Sequence, residues 1–134
     1  GGFALLAIQD DFRSFALRPG VDLVMEATDF DARLARADLV ITGEGRIDAQ
    51  TAFGKTALGV AKRAQAAGKP CIGVGGSVEP DGIDALATVG ATAVPVWEAP
   101  VPLEVALAAG TAPLEACGER LARAWAAAEA RPKA

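Results

Sequence analysis

The chain contains no histidine and no tyrosine. The missing histidine removes the commonest general base and the commonest zinc ligand. A Ser-His-Asp or Cys-His hydrolase is therefore excluded within this chain. Any chemistry must use carboxylates, Lys, Arg, hydroxyls and backbone amides. Cysteine is scarce: Cys71 and Cys117 stand far apart and lack CxxC spacing. In a chain with no secretion signal they are expected to be buried thiols in a reducing compartment, with a disulfide the minor alternative. There is no basic block, and the formal net charge is −4. That argues against nucleic acid as a partner, because phosphate contacts need clustered Lys and Arg. No apolar run approaches the roughly 20 residues of a membrane-spanning helix, so no membrane partner is expected. The start, GGFALLAIQDDF, lacks a positive n-region and a small-residue cleavage site. No signal peptide is predicted, and the expected location is cytoplasmic.

What is present suits one domain, or part of a larger one, at 134 residues. About half the residues are apolar (51%), enough to bury a core. Much of that content is alanine, the best helix former. The chain starts Gly1-Gly2 without Met, which reads as processing or as a piece of a longer polypeptide.

Residues 3–16 look helical and amphipathic, and Arg18-Pro19-Gly20 reads as a turn. The apolar run Val21 to Met25 predicts a strand. Residues 29–36 predict a short helix with Asp29 as its N-cap. Leu39-Val40-Ile41-Thr42 is β-branched and continuously apolar, as a parallel strand buried on both faces would be. A helix is expected from Thr56 to Ala67, ended by Gly68 at C′ with Pro70 just beyond. Cys71 to Val74 reads as a strand, Ile83 to Thr88 as a short helix opened by Pro80, and Thr92 to Trp97 as a third strand. Pro95 lacks an N–H, which places that strand at a sheet edge or Pro95 at a strand end. Two helices follow, at 102–109 and 112–129. Strand alternating with helix gives the fold class α/β, a parallel sheet with right-handed crossovers.

In open α/β sheets, ligands bind at the carboxyl ends of strands. Two such ends are glycine-rich here: Thr42-Gly43-Glu44-Gly45-Arg46 and Val74-Gly75-Gly76-Ser77. Glycine allows close backbone approach and leaves amides free for an anion. The first stretch continues with Asp48, Gln50, Thr51, Lys55 and Thr56. A solvated loop explains the charges, but not the glycines directly after a buried strand. The ending Gly54-Lys55-Thr56 resembles a P-loop, yet Ala49 stands where its first glycine belongs. Lys55 is too far from the strand end, and acids at 44 and 48 would repel phosphate. Gly54-Lys55-Thr56 still opens a helix, and a helix start beside a lysine can receive an anion. The dinucleotide fingerprint G-x-G-x-x-G fails as well, because Asp48 holds its third glycine position.

The run ADLVITGEGRIDAQTAFGKTALGVAKRAQAAGKPCIGVGGSV closely resembles the bacterial glycerate kinase family, the type that phosphorylates D-glycerate with ATP. The family's hallmark is DLVITGEGRxDxQTxxGKxPxGVAxxA, followed by a strand ending in a Gly-Ser pair. The chain matches it from Asp38 to Arg46 and at Asp48, Gln50, Thr51, Gly54, Lys55, Gly59, Val60 and Ala61. It departs at Ala57, where the family often has Pro. The resemblance covers nearly the whole chain. It implies a Rossmann-like or flavodoxin-like parallel sheet flanked by helices, part of a larger two-lobed kinase. Residues 37–134 would form the Rossmann-like core, and residues 1–36 would belong partly to the adjacent lobe. The remaining N-terminal part of the same enzyme would be its partner across the cleft, and the resemblance leaves a homodimer open.

ATP, Mg²⁺ and D-glycerate are the cofactors and substrate so implied, with the 2-position favoured for phosphorylation. Residue chemistry suggests the roles. Asp48 or Glu44 would act as base or metal ligand, with Asp48 the candidate for Mg²⁺. Arg46 and Lys55 would neutralise phosphate or the glycerate carboxylate, Arg46 bidentately. Gly43, Gly45, Gln50 and Thr51 would orient substrate, and Gly75-Gly76-Ser77 would line the cleft. The rival reading is a truncated, non-catalytic α/β module that binds an anion or assembles with a partner.

Overall fold

A computed structural model describes residues 18–53 and 56–130. The helix expected over 3–16 lies outside the described residues, as do Gly54 and Lys55. In chain order the elements begin with helices α1 (Gly20–Ala27) and α2 (Phe30–Ala35) and strand β1 (Val40–Ile47). A 3-10 helix (Ala49–Phe53), α3 (Thr56–Ala66), β2 (Cys71–Val78) and α4 (Pro80–Ala87) follow. The last elements are β3 (Thr92–Pro95), α5 (Leu103–Ala108) and α6 (Ala112–Glu129). The strands form one three-stranded parallel sheet in the order β1-β2-β3. A helix connects each strand to its parallel neighbour, so the fold is α/β, as the alternation predicts.

The core lies between this sheet and α3 and α4. Helix α3 packs on β1 and β2, and α4 on β2 and β3. Ile47 of β1 and Leu86 of α4 are fully buried in one cluster with Leu58, Ala61 and Ala64 of α3. Burying an Ile or Leu side chain stabilises by about 1.5–3 kcal/mol. The alanines let α3 lie close to the sheet. Gly68 ends α3 with φ +66°; its amide donates to Gln65, and the Lys69 amide donates to Ala64. This is the paired C-terminal cap that the glycine predicts. Pro95 ends β3 at the sheet edge, where its missing N–H costs no ladder bond, again as expected.

One expectation fails and another holds only in part. Val21 to Met25 is helix α1, not a strand. A short apolar run has no period that separates a strand from a helix, and contacts decide. Here Met25 is buried while Leu23 and Val24 are exposed. A Cβ built on Gly59 of α3 would stand 3.0 Å from the Val21 methyl carbons, so α1 seats against α3 at that glycine. Asp29 stands at the N-cap position of α2, where its carbonyl accepts the Arg33 amide at 3.2 Å, but it adopts φ 50°, in the left-handed region, and its side chain makes no cap bond. Its conformation turns the chain between α1 and α2. Asp is among the few non-glycine residues that enter this region readily.

Both cysteines are free and buried. Burial pushes the Cys71 thiol up from its ordinary value. The Cys117 Sγ lies 3.9 Å from the Pro95 carbonyl oxygen, tying α6 to the end of β3. The buried-thiol reading is therefore borne out over the disulfide. Among the described residues no helix is long and apolar enough to cross a membrane.

Candidate functional site

The glycine-rich stretches expected as loops are paired strand. β1 runs through Gly43, Glu44, Gly45 and Arg46, and β2 through Gly75, Gly76 and Ser77. Glu44 is in register with Gly75, and Arg46 with Ser77. Two of the β2 glycines stand where a side chain would clash. A Cβ on Gly76 would stand 2.6 Å from the Gly45 carbonyl oxygen, and one on Gly75 2.5 Å from that of Ser77. Real Cβ atoms do not come so near backbone oxygen. Composition read these segments as loop because glycine is depleted in strands.

Burial along β1 changes phase within this glycine segment. Val40 and Thr42 are buried while Ile41 and Gly43 are exposed, which is ordinary alternation. After Gly45 the order reverses: Arg46 is exposed and Ile47 is buried. The reversal lets Ile47 reach Leu86 and sends the Arg46 side chain outward at the strand's carboxyl end.

There Arg46 Nε lies 3.1 Å from an Asp48 carboxylate oxygen. Arg46 Nη2 donates to the Glu79 carboxylate. The Arg46 side chain keeps 61% of its exposure, whereas that of Asp48 keeps 15%. The other Asp48 oxygen accepts the Gln50 amide at 2.9 Å. Glu79 is a site residue that sequence reasoning missed. The available signal was register: with Ile47 opposite Val78, the residues that follow, Asp48 and Glu79, emerge side by side. The Glu79 amide also donates to the Ile47 carbonyl at 2.8 Å, extending the ladder one step.

Glu44 points elsewhere. One carboxylate oxygen accepts the Ala57 amide in the first turn of α3 at 3.3 Å. The other accepts the Thr51 hydroxyl at 3.4 Å. Thr51 is fully buried, and its hydroxyl oxygen receives the Asp48 amide at 3.2 Å. The Thr51 amide closes the turn on the Asp48 carbonyl at 2.9 Å. The structure thus brings Glu44, Asp48, Gln50 and Thr51 into one connected group with Arg46 beside it. Gly43, Glu44 and Gly45 border a cleft of about 450 Å³ between β1, β2 and α6, walled by Ile41, Val74, Leu114 and Leu121. Ser77 is exposed on β2, level with Arg46.

As arranged, Asp48 does not fit a protein-held Mg²⁺. Both its oxygens are engaged by protein donors, one of them a guanidinium. Among the described residues no group of three or more acids and cysteines is placed to hold a metal ion. Mg²⁺ takes a near-ideal octahedron of oxygens, and in phosphoryl-transfer sites one or two carboxylates hold it together with substrate phosphates rather than an all-protein cage.

Fold and placement together define a class: a parallel α/β domain with its polar cluster at the carboxyl ends of adjacent strands, where such sheets bind ligands. The chain belongs to the glycerate kinase family, whose model matches residues 1–126. A glycerate kinase from Bacillus subtilis (strain 168) is 50% identical over 90 residues, covering 62% of this chain and 24% of that protein. A glycerate kinase from Bacillus cereus is 40% identical over 117 residues, 82% of this chain and 29% of that protein. The glycerate 2-kinase of Escherichia coli (strain K12) is 40% identical over 95 residues, 66% of this chain and 24% of that protein. The chain therefore spans between 24% and 29% of the length of these relatives.

Proposed function

We propose that this chain is the C-terminal α/β portion of an enzyme that transfers the γ-phosphoryl group of ATP to a hydroxyl of D-glycerate in the cytoplasm, giving 2-phosphoglycerate. Residues 37–134 form its Rossmann-like core, and residues 1–36 belong partly to the adjacent lobe. The observation that carries this reading is Arg46, exposed at the carboxyl end of β1 in a chain of this family. Phosphoryl transfer is mostly positioning and charge neutralisation. A guanidinium held by Asp48 and Glu79 presents its remaining N–H groups to a carboxylate or phosphate. Lys55 supplies a second cation. Of the two candidate carboxylates, Asp48, beside Arg46, takes the proton of the attacking hydroxyl.

The test places Asp48→Asn and Lys55→Met in the full-length enzyme and measures turnover of D-glycerate and Mg-ATP. Loss of kcat/KM by about 10²-fold or more is expected for Asp48→Asn if it is the base. Near-normal kcat/KM in both, with the fold intact, defeats the site assignment. Phosphorus NMR of the product distinguishes 2- from 3-phosphoglycerate. A second reading, a non-catalytic anion-binding or assembly module, is favoured for this polypeptide alone by its short span of the relatives. Turnover by the 134-residue chain itself would eliminate it.

A further inference from the structure

The two carboxylates that residue chemistry leaves interchangeable are not equivalent in the structure. Asp48 sits beside Arg46 at the strand end. Glu44 faces the start of α3 and the buried hydroxyl of Thr51. The geometry points to Glu44 and Thr51 as positioning residues: they fix the turn that carries Asp48, and Glu44 is not the base. This rests on the glycerate kinase reading only for what Asp48 then does.

The connections are as follows. The Glu44 carboxylate bridges the first turn of α3, at the Ala57 amide, and the Thr51 hydroxyl. An acid at a helix start is favoured by the aligned amides and their partial positive charge. The Thr51 hydroxyl hands the link on to the Asp48 amide, and the Thr51 amide returns to the Asp48 carbonyl. The backbone of Asp48 is therefore held at both polar groups by one buried residue, and that residue meets Glu44. The contacts at 3.3 and 3.4 Å are long, so each is modest in strength. They do not depend on proton uptake. An amide in place of the carboxylate keeps an oxygen for Ala57 and offers an N–H to Thr51. A base has no such substitute.

The experiment compares Glu44→Gln, Glu44→Ala, Thr51→Ser and Thr51→Val in the full-length enzyme. Glu44→Gln and Thr51→Ser are expected to keep kcat within about threefold of the parent. Glu44→Ala and Thr51→Val are expected to lower kcat about tenfold or more, with KM for glycerate little changed, because a misplaced group costs rate. A hundredfold fall in Glu44→Gln makes Glu44 the base and overturns the proposal. Unchanged kcat in both Glu44→Ala and Thr51→Val overturns it as well. Amide hydrogen exchange reads the same geometry without turnover. Glu44→Ala should speed exchange at Ala57, and Thr51→Val at Asp48, while Glu44→Gln and Thr51→Ser stay at parent rates. Unaltered exchange in the disruptive variants overturns the positioning role. An enzyme that does not phosphorylate glycerate defeats the functional reading, and exchange still decides this one.

Discussion

Arg46 Nε stands 3.1 Å from a carboxylate oxygen of Asp48, two residues along the chain, while its Nη2 donates to Glu79, just past the end of the neighbouring strand. The guanidinium thus spans two strand ends with two different nitrogens. A lysine ammonium is a single point charge and cannot reproduce this fork. Arg46→Lys is expected to raise KM for glycerate about tenfold, the loss of one charge-assisted bidentate contact. Its effect on folding should stay within about 1 kcal/mol, because exposed ion pairs contribute little. Steady-state kinetics and urea unfolding of the same variant check both halves.

Gly82 of α4 lies against the end of β1. A Cβ there would stand 2.6 Å from the Asp48 nitrogen and 2.6 Å from the Ile47 carbonyl carbon. Both are backbone atoms and cannot swing aside. Gly82→Ala is expected to destabilise by about 1–3 kcal/mol, the cost of overpacking. It should also lower kcat, because relief of the clash moves Asp48. Normal stability together with normal turnover would show that α4 does not press on the site.

Gly68 holds φ +66° at the end of α3. Gly68→Ala puts a Cβ into the left-handed region, at a cost of about 1–2 kcal/mol. A Cβ there meets nothing within 4 Å, so the cost is conformational alone. The urea midpoint should fall while turnover is unchanged, since the cap is remote from Arg46 and Asp48.

Cys71 is buried in β2, and burial holds its thiol above the ordinary value. The unfolded chain ionises first, near pH ~8.5. The folded chain then binds more protons than the unfolded one, and stability falls as pH rises. The contribution is complete below the unfolded value and is lost as pH climbs through the folded one. As pH rises above about 8.5 the parent should lose stability relative to Cys71→Ala. Parallel urea midpoints for the two proteins would show that the thiol is not linked to folding. Neither cysteine should form an internal disulfide on mild oxidation, as non-reducing mass analysis can show.

Much of this was legible in the residues. Gly68 after an alanine-rich run marks the end of α3, and Pro95 marks a strand end at a sheet edge. Both follow from single-residue backbone chemistry that tertiary context rarely overrides. The extents of β1 and β2 were not legible. Gly43, Gly45, Gly75 and Gly76 favour loops on propensity, yet all four lie in paired strand, and a Cβ on Gly76 would meet the Gly45 carbonyl oxygen of the facing strand. The identity of α1 also escaped, because it depends on Val21 meeting Gly59, a contact between segments that are distant in sequence. The motif named Glu44 and Asp48 together. Only the fold shows that one turns toward the start of α3 and the other toward Arg46.

The phase reversal after Gly45 makes this segment a ruler. Its value lies in the count of residues between Thr42 and Ile47 as much as in their identities. Adding or removing one residue there would carry the guanidinium toward Leu86 and leave the isoleucine in water. The molecule can therefore tolerate changes of side chain in this stretch more readily than a change of length.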